Sequence, residues 1–248
     1  MSTAPQPPAP RAADVRLFAL GDAAVVLEFG HGISPAIHRA IQAVSRYLTK
    51  YPFPGLRELV PAFTTLTVYY DPWVLSENGR HQPYERVAEI LHQLLPAAQA
   101  AAGEAGADLV EIPVCYGGEF GPDLAFVAAH TGLPPGEVIA RHSAPDYLVH
   151  MIGFAPGFPY LGGLDERLAT PRKAEPRALV PAGAVGIAGH QTGIYSLPTP
   201  GGWQLIGRTP RRLFSPEWAR PSLLQAGQRL RFVPIDEAAF YHLQQHEH

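Results

Sequence analysis

Thirty consecutive residues, Ala178 to Gly207, contain no aspartate, glutamate, lysine or arginine. In this run, ALVPAGAVGIAGHQTGIYSLPTPGGWQLIG, only His190 titrates near neutral pH. Gln191, Thr192, Tyr195, Thr199 and the indole N–H of Trp203 are polar but uncharged. Such groups orient a small polar ligand inside an apolar pocket without desolvating a charge. Glycines let backbone approach ligand or backbone closely. The run reads as the wall of a ligand pocket. The competing reading is a tightly turned barrel whose glycines serve only its bends.

A second segment lies just upstream. Gly153-Phe154-Ala155-Pro156-Gly157-Phe158-Pro159-Tyr160-Leu161-Gly162-Gly163 sets three aromatic rings among prolines and glycines. Proline fixes φ, so the segment reads as a stiff loop. A stiff aromatic loop makes a wall for a flat ligand or a partner surface, or a plug for the end of a barrel. His150 precedes it on a strand expected over residues 146–154. Period-two alternation puts it on the face of Leu148 and Ile152. An imidazole there is the best candidate general acid or base in the chain, set against a satisfied core histidine.

Cations come from Pro171-Arg172-Lys173-Ala174-Glu175-Pro176-Arg177 and from Arg208. Guanidinium forks match carboxylate and phosphate. Arg208 follows an apolar strand and precedes Thr209-Pro210, so it is favoured over Arg172 and Arg177 as the anion ligand. Cys115 ends a strand without an activating partner nearby and reads as a packed thiol. No phosphate loop, H-E-x-x-H or G-x-S-x-G motif is present, and no His/Cys cluster has zinc spacing. The pocket has walls and no obvious carboxylate base. A hydrolytic reaction would take that group from a second chain.

The elements that must position these residues fall into two parts. Val15–Leu20 and Ala23–Phe29 read as a hairpin about Gly21-Asp22. Ser34-Pro35 caps a helix carrying Ile37, Ala40, Ile41, Val44 and Leu48. Leu56–Pro61 and Thr64–Tyr70 form another strand pair, followed by a helix from Pro83. The first part is thus α+β, with helices on one face of a sheet. Residues 97–107, rich in alanine and glycine, read as a connector. Short helices are expected over 122–130 and 135–142. From Gly153 to Gly207 the chain holds 11 of its 24 glycines, and short apolar runs alternate with turns, as a small closed β structure requires. A strand over 229–234 and a short helix finish the chain. The expected division is a tail over 1–12, an α+β domain over 13–108 and a β domain over 109–248.

Composition narrows the partners. Among 248 residues, 46% are hydrophobic and 17% charged, so the chain is globular rather than disordered. A net charge of −3 offers no footprint for nucleic acid. No apolar run reaches the length of a membrane span. The opening MSTAPQPPAPRAAD lacks the pattern of a signal peptide. The single cysteine fits a reducing cytoplasm.

EIPVCYGGEFGPDL (111–124), HMIGFAPGFPYLGGLDERLATPR (150–172) and VPAGAVGIAGHQTGIYSLPTPGGWQLIGRTPRRLF (180–214) resemble the 5-oxoprolinase B-subunit family, also called KipI-type or allophanate hydrolase subunit 1. The resemblance runs from GDAAVVLEFG (21–30) to the final strand. It implies an N-terminal α+β domain and a cyclophilin-like β-barrel. It also implies two partner chains, a KipA-type 5-oxoprolinase subunit and a LamB/YcsF-type subunit. Together the three cleave 5-oxoproline to glutamate, with ATP and Mg²⁺ acting at the level of the complex. Relatives include an inhibitor of a sensor histidine kinase and half of the carboxyltransferase part of urea carboxylase, so the fold leaves those two alternatives open. The resemblance and the residue reading together nominate His150 as the catalytic group. Phe154, Gly157, Phe158, Gln191, Tyr195, Trp203 and Arg208 are the nominated substrate contacts, with no metal ligands. Two positions depart from the family pattern: His190 stands where a small or polar residue is expected, and Ser196 where proline is expected.

Overall fold

A computed structural model describes residues 10–32, 34–100 and 109–246. Most of the expected tail and connector lies outside them. The chain divides into two compact units, Met1–Gly106 and Ala107–His248.

In the first unit, β1 (Arg16–Ala19), β2 (Ala24–Glu28), β3 (Leu56–Pro61) and β4 (Thr65–Tyr70) form one antiparallel sheet in the order β1-β2-β4-β3. Helix α1 (Pro35–Lys50) starts where Ser34 Oγ accepts from the Ile37 N–H at 3.2 Å, with proline at the first position. A single turn, α2 (Pro72–Leu75), is capped by Asp71, and α3 (Pro83–Ala100) follows. Ile41, Val44 and Leu48 of α1 and Val87, Leu91 and Leu95 of α3 share one core with Val25, Leu27, Leu66 and Val68 of the sheet.

In the second unit seven strands close into a barrel. They are β5 (Leu109–Tyr116), β6 (Tyr147–Ile152), β7 (Pro159–Gly162), β9 (Ala184–Ala188), β10 (Gln191–Ile194), β12 (Gln204–Arg208) and β13 (Arg229–Ile235). The order around the wall is β10-β7-β6-β13-β5-β12-β9. β13 lies parallel to β5, with Arg229 opposite Leu109 and Ile235 opposite Cys115. A two-stranded ribbon, β8 (Arg177–Val180) with β11 (Thr199–Gly201), stands apart. Helices α4 (Leu124–Thr131) and α5 (Pro135–Ser143) pack Val127 and Val138 into the barrel core, and α6 (Glu237–His246) closes the chain.

Two expectations are corrected. The aromatic segment is not wholly a loop, because Pro159–Gly162 is strand β7. The alternation through β6 also fails. The pairing of β6 with β7 shifts register between Val149 and Met151, so His150 is the bulged residue and follows Val149 into a buried position.

One polar chain is buried in the barrel core. Thr192 Oγ1 donates to the Gly186 carbonyl at 3.0 Å. A hydroxyl has one proton, so the contact of 2.9 Å between Thr192 Oγ1 and His142 Nε2 is an imidazole N–H donating to it. Nδ1 is then bare and accepts from the Tyr116 hydroxyl at 2.8 Å. Tyr147 donates to the His142 carbonyl at 2.7 Å, and the imidazole stacks on Phe232 at 4.5 Å. Burial pushes His142 from its ordinary 6.5 down to about 3. Folded His142 therefore stays neutral where the unfolded chain takes up a proton. Its contribution to stability is present above pH 6.5 and is lost as pH falls from 6.5 toward 3. Urea unfolding of the wild type should lose about 2 kcal/mol more between pH 7 and pH 5 than that of His142→Gln. Parallel losses in the two proteins would contradict the neutral assignment.

Candidate functional site

Alternation along β10 sends Thr192 inward to His142 and Gly193 outward. On that outer face aromatic rings lie directly on backbone. A Cβ at Gly193 would stand 2.9 Å from the Pro159 carbonyl, 3.0 Å from Phe158 Cζ and 3.1 Å from Trp203 Cζ3. At Gly186 of β9 it would stand 3.1 Å from Trp203 Cβ. At Gly201 it would run into the Tyr195 hydroxyl. Gly186, Gly193 and Gly201 of the charge-free run are therefore seats for aromatic rings.

Phe158 is the hub. Its ring centroid is 5.4 Å from Tyr195, 5.5 Å from Trp203, 4.9 Å from Tyr160 and 5.4 Å from Phe154, every pair edge-on. Edge-to-face pairs of this kind each add about 0.5–1.5 kcal/mol beyond burial. Phe158, Tyr195 and Trp203 are buried with Val180, Ala184, Ala188 and Leu205. The pocket expected within the charge-free run is filled by these three rings. They act as the floor of the cluster, and its open part is Phe154, 64% exposed, and half-buried Tyr160.

The loop that carries Phe154 is held at several points. Gly153 N–H donates to the Phe158 carbonyl and Phe158 N–H to the Ala155 carbonyl, both at 3.0 Å. Ser196 Oγ donates to the Pro156 carbonyl at 2.6 Å. At Gly157, φ is +77°, and a Cβ would come within 2.8 Å of Phe214 Cβ. Phe154 itself has φ +68°, a conformation that costs a non-glycine residue about 1–3 kcal/mol. An exposed aromatic ring is thus held in a strained backbone on a rigid tip. Ser196, the departure from proline, supplies one of the pins.

His150 lies nearby. Its ring occupies the space that a side chain on Gly162 would need, and Gly162 shares a face of β7 with Tyr160 by period two. Burial pushes the His150 imidazole below its ordinary 6.5, so it is neutral at pH 7. Gln191 opens β10 opposite Ala188, half-buried and outside the cluster. Arg208 also lies outside it: its Nε donates to the Ala182 carbonyl at 3.0 Å, and its guanidinium sits 5.9 Å from the Phe240 ring.

The cations that flank the cluster come instead from the Pro-Arg segment. Asp123, buried, accepts from the Leu205 N–H at 2.7 Å and from Arg177 Nη2 at 2.7 Å, with Lys173 Nζ at 3.5 Å. Burial pushes the Asp123 carboxyl up, but those hydrogen bonds and the two cations hold it below the usual carboxylate range. Burial likewise raises the Tyr195 and Tyr160 hydroxyls, and the charge of Arg172 opposes the rise at both. Sequence reasoning misses Asp123, which reads as an ordinary residue in the first turn of the helix expected over 122–130. No local pattern singles it out from the other acids between Glu119 and Glu166.

A family profile described as carboxyltransferase domain, subdomain C and D, matches residues 15–224, and this sets the class. The 5-oxoprolinase B subunit of Bacillus subtilis (strain 168) is 48% identical over 225 residues, 90% of this chain and 93% of that protein. The protein of the same name from Escherichia coli O157:H7 is 44% identical over 222 residues, 90% of this chain and 97% of that one. The crystal structure of TTHA0988 superposes with a TM-score of 0.73 at 39% identity over 90% of this chain, and the match spans 40% of that longer chain. The chain belongs to the 5-oxoprolinase B-subunit family.

If glycine seats hold the cluster, Gly193→Ala should destabilise the protein by about 1–3 kcal/mol, because backbone at Pro159 cannot yield. Gly136→Ala in α5, which meets nothing within 4 Å, is the control and should be neutral or slightly stabilising. Denaturant midpoints check both. Equal midpoints for the two variants would contradict the account.

Proposed function

We propose that this chain is one subunit of an ATP-dependent 5-oxoprolinase, cleaving 5-oxoproline to glutamate with a KipA-type partner and a LamB/YcsF-type partner. The observation that carries the reading is near-full-length identity of 44–48% to proteins named as the B subunit of 5-oxoprolinase. In this reading the first unit is the α+β domain, the barrel is cyclophilin-like, and the complex is cytoplasmic.

The site geometry supports a shared active site. Its floor is packed and rigid, and its open rim is an exposed phenylalanine and a half-buried tyrosine. The buried carboxylate beside it, Asp123, is already committed to Arg177, Lys173 and the Leu205 N–H. Among the described residues no three His, Cys, Asp or Glu side chains converge as metal ligands. These residues do not fit a Mg²⁺ site, and the reading assigns ATP and Mg²⁺ to the assembled complex. Here Phe154 and Tyr160 bound the substrate, with Gly157, Phe158, Tyr195 and Trp203 fixing their positions. His150 is a neutral imidazole able to accept a proton on the same side of the wall. A partner supplies the remaining polar groups and excludes water. Arg208 and Gln191 have no place in this arrangement.

A second reading is favoured by the description of the matching family profile. As half of a carboxyltransferase, the chain would act on a carboxyl group delivered by a biotinylated partner.

Assays of 5-oxoproline-dependent ATP hydrolysis with one, two and three of the proteins separate these readings. Activity is expected only when the partners are present. Turnover by this chain alone would overturn the shared site. Biotin-dependent carboxyl transfer by the assembled proteins, without glutamate release, would support the second reading.

A further inference from the structure

The segment Pro171–Arg177 is tied along its length to the residues around Trp203. The Pro171 carbonyl accepts from Gln204 Nε2 at 3.0 Å, and the Lys173 N–H donates to the Gly202 carbonyl at 2.7 Å. Arg177 Nη1 reaches the Trp203 carbonyl at 3.5 Å. The backbone on both sides of Arg172 is therefore fixed to the edge of the aromatic cluster.

The segment carries three cations, and the fold commits two of them. Lys173 and Arg177 both serve Asp123. Arg172 is exposed and makes no hydrogen bond or ion pair with any described residue. Its charge nevertheless reaches the hydroxyls of Tyr160 and Tyr195, where it offsets part of the effect of burial. On β11, the strand whose Gly201 seats the Tyr195 hydroxyl, Thr199 Oγ1 is buried with no hydrogen-bond partner among the described residues. Arg208 is held elsewhere, by the Ala182 carbonyl and the Phe240 ring.

We propose that Arg172 recognises the carboxylate of the substrate at the rim formed by Phe154 and Tyr160, an assignment that rests on the 5-oxoprolinase reading. A pinned backbone fixes where Arg172 starts, and its uncommitted guanidinium offers a planar fork to an incoming anion. Carboxylates take such a fork through two parallel hydrogen bonds. A flat lactam ring suits an aromatic wall beside it. 5-Oxoproline carries both features, one carboxylate and one lactam. Arg172 thus selects and orients the acid, while the lactam carbonyl faces the groups that open it.

The test uses the assembled complex. Arg172→Ala should raise KM for 5-oxoproline about ten- to a hundred-fold, with kcat changed by less than about three-fold. Arg172→Lys keeps the charge and loses the fork, so its KM should fall between those of Arg172→Ala and wild type. 2-Pyrrolidinone, the same ring without the carboxylate, should inhibit wild type and Arg172→Ala equally. A wild-type KM in an active Arg172→Ala complex would overturn the assignment, as would an equal loss of affinity for 2-pyrrolidinone. Absence of 5-oxoproline-dependent ATP hydrolysis in the wild-type complex would instead sink the parent reading, and the assignment with it.

Discussion

Bare backbone at Gly186 and Gly193 lets Trp203 and Phe158 lie directly against the barrel wall, and the outer face is built on that contact. A single methyl group at Gly193 would meet the Pro159 carbonyl and two rings at once. Close-packed interiors have little room to yield. With the rings seated, Phe158 fixes the edge-on positions of Phe154, Tyr160 and Tyr195. The segment 171–177 then ties itself to Gly202 and Gln204, on either side of Trp203. The rim inherits its geometry from this floor.

The same strand serves two environments. Thr192 points inward and ends a hydrogen-bonded chain through His142 to Tyr116. Gly193, its neighbour, points outward under Phe158. Polar satisfaction on one side and aromatic packing on the other both constrain β10. A one-residue slip would exchange the two faces and lose both sets of contacts. Buried polar networks that are fully satisfied specify one arrangement more sharply than apolar contacts alone. Rigidity in this wall is what allows a strained residue, Phe154, to persist at its edge.

Much of this is legible in the residues, and the failures have physical causes. Hairpins, helix starts and the closed β structure follow from period, capping and glycine spacing, which are local signals. The parallel pairing of β13 with β5 joins segments more than a hundred residues apart, and no local pattern carries it. Alternation places His150 on the face of Leu148 and Ile152, and the bulge breaks the alternation. The charge-free run reads as a lined pocket because neutral polar groups suit a ligand. The aromatic residues fill that space themselves, so the same composition serves packing. Strand position alone prefers Arg208 over Arg172. The hydrogen bond to Ala182 and the commitment of Lys173 and Arg177 to Asp123 become visible only in three dimensions.

What unites these observations is a rigid platform that is open on one side and whose buried carboxylate, Asp123, is already committed to Arg177, Lys173 and the Leu205 N–H. Calorimetric titration with 5-oxoproline tests that most directly, using this chain alone, the proposed KipA-type partner alone and the two together. The account predicts measurable binding only for the pair, because the rim is half a chamber until another surface closes it. Binding of equal strength to this chain alone would contradict it.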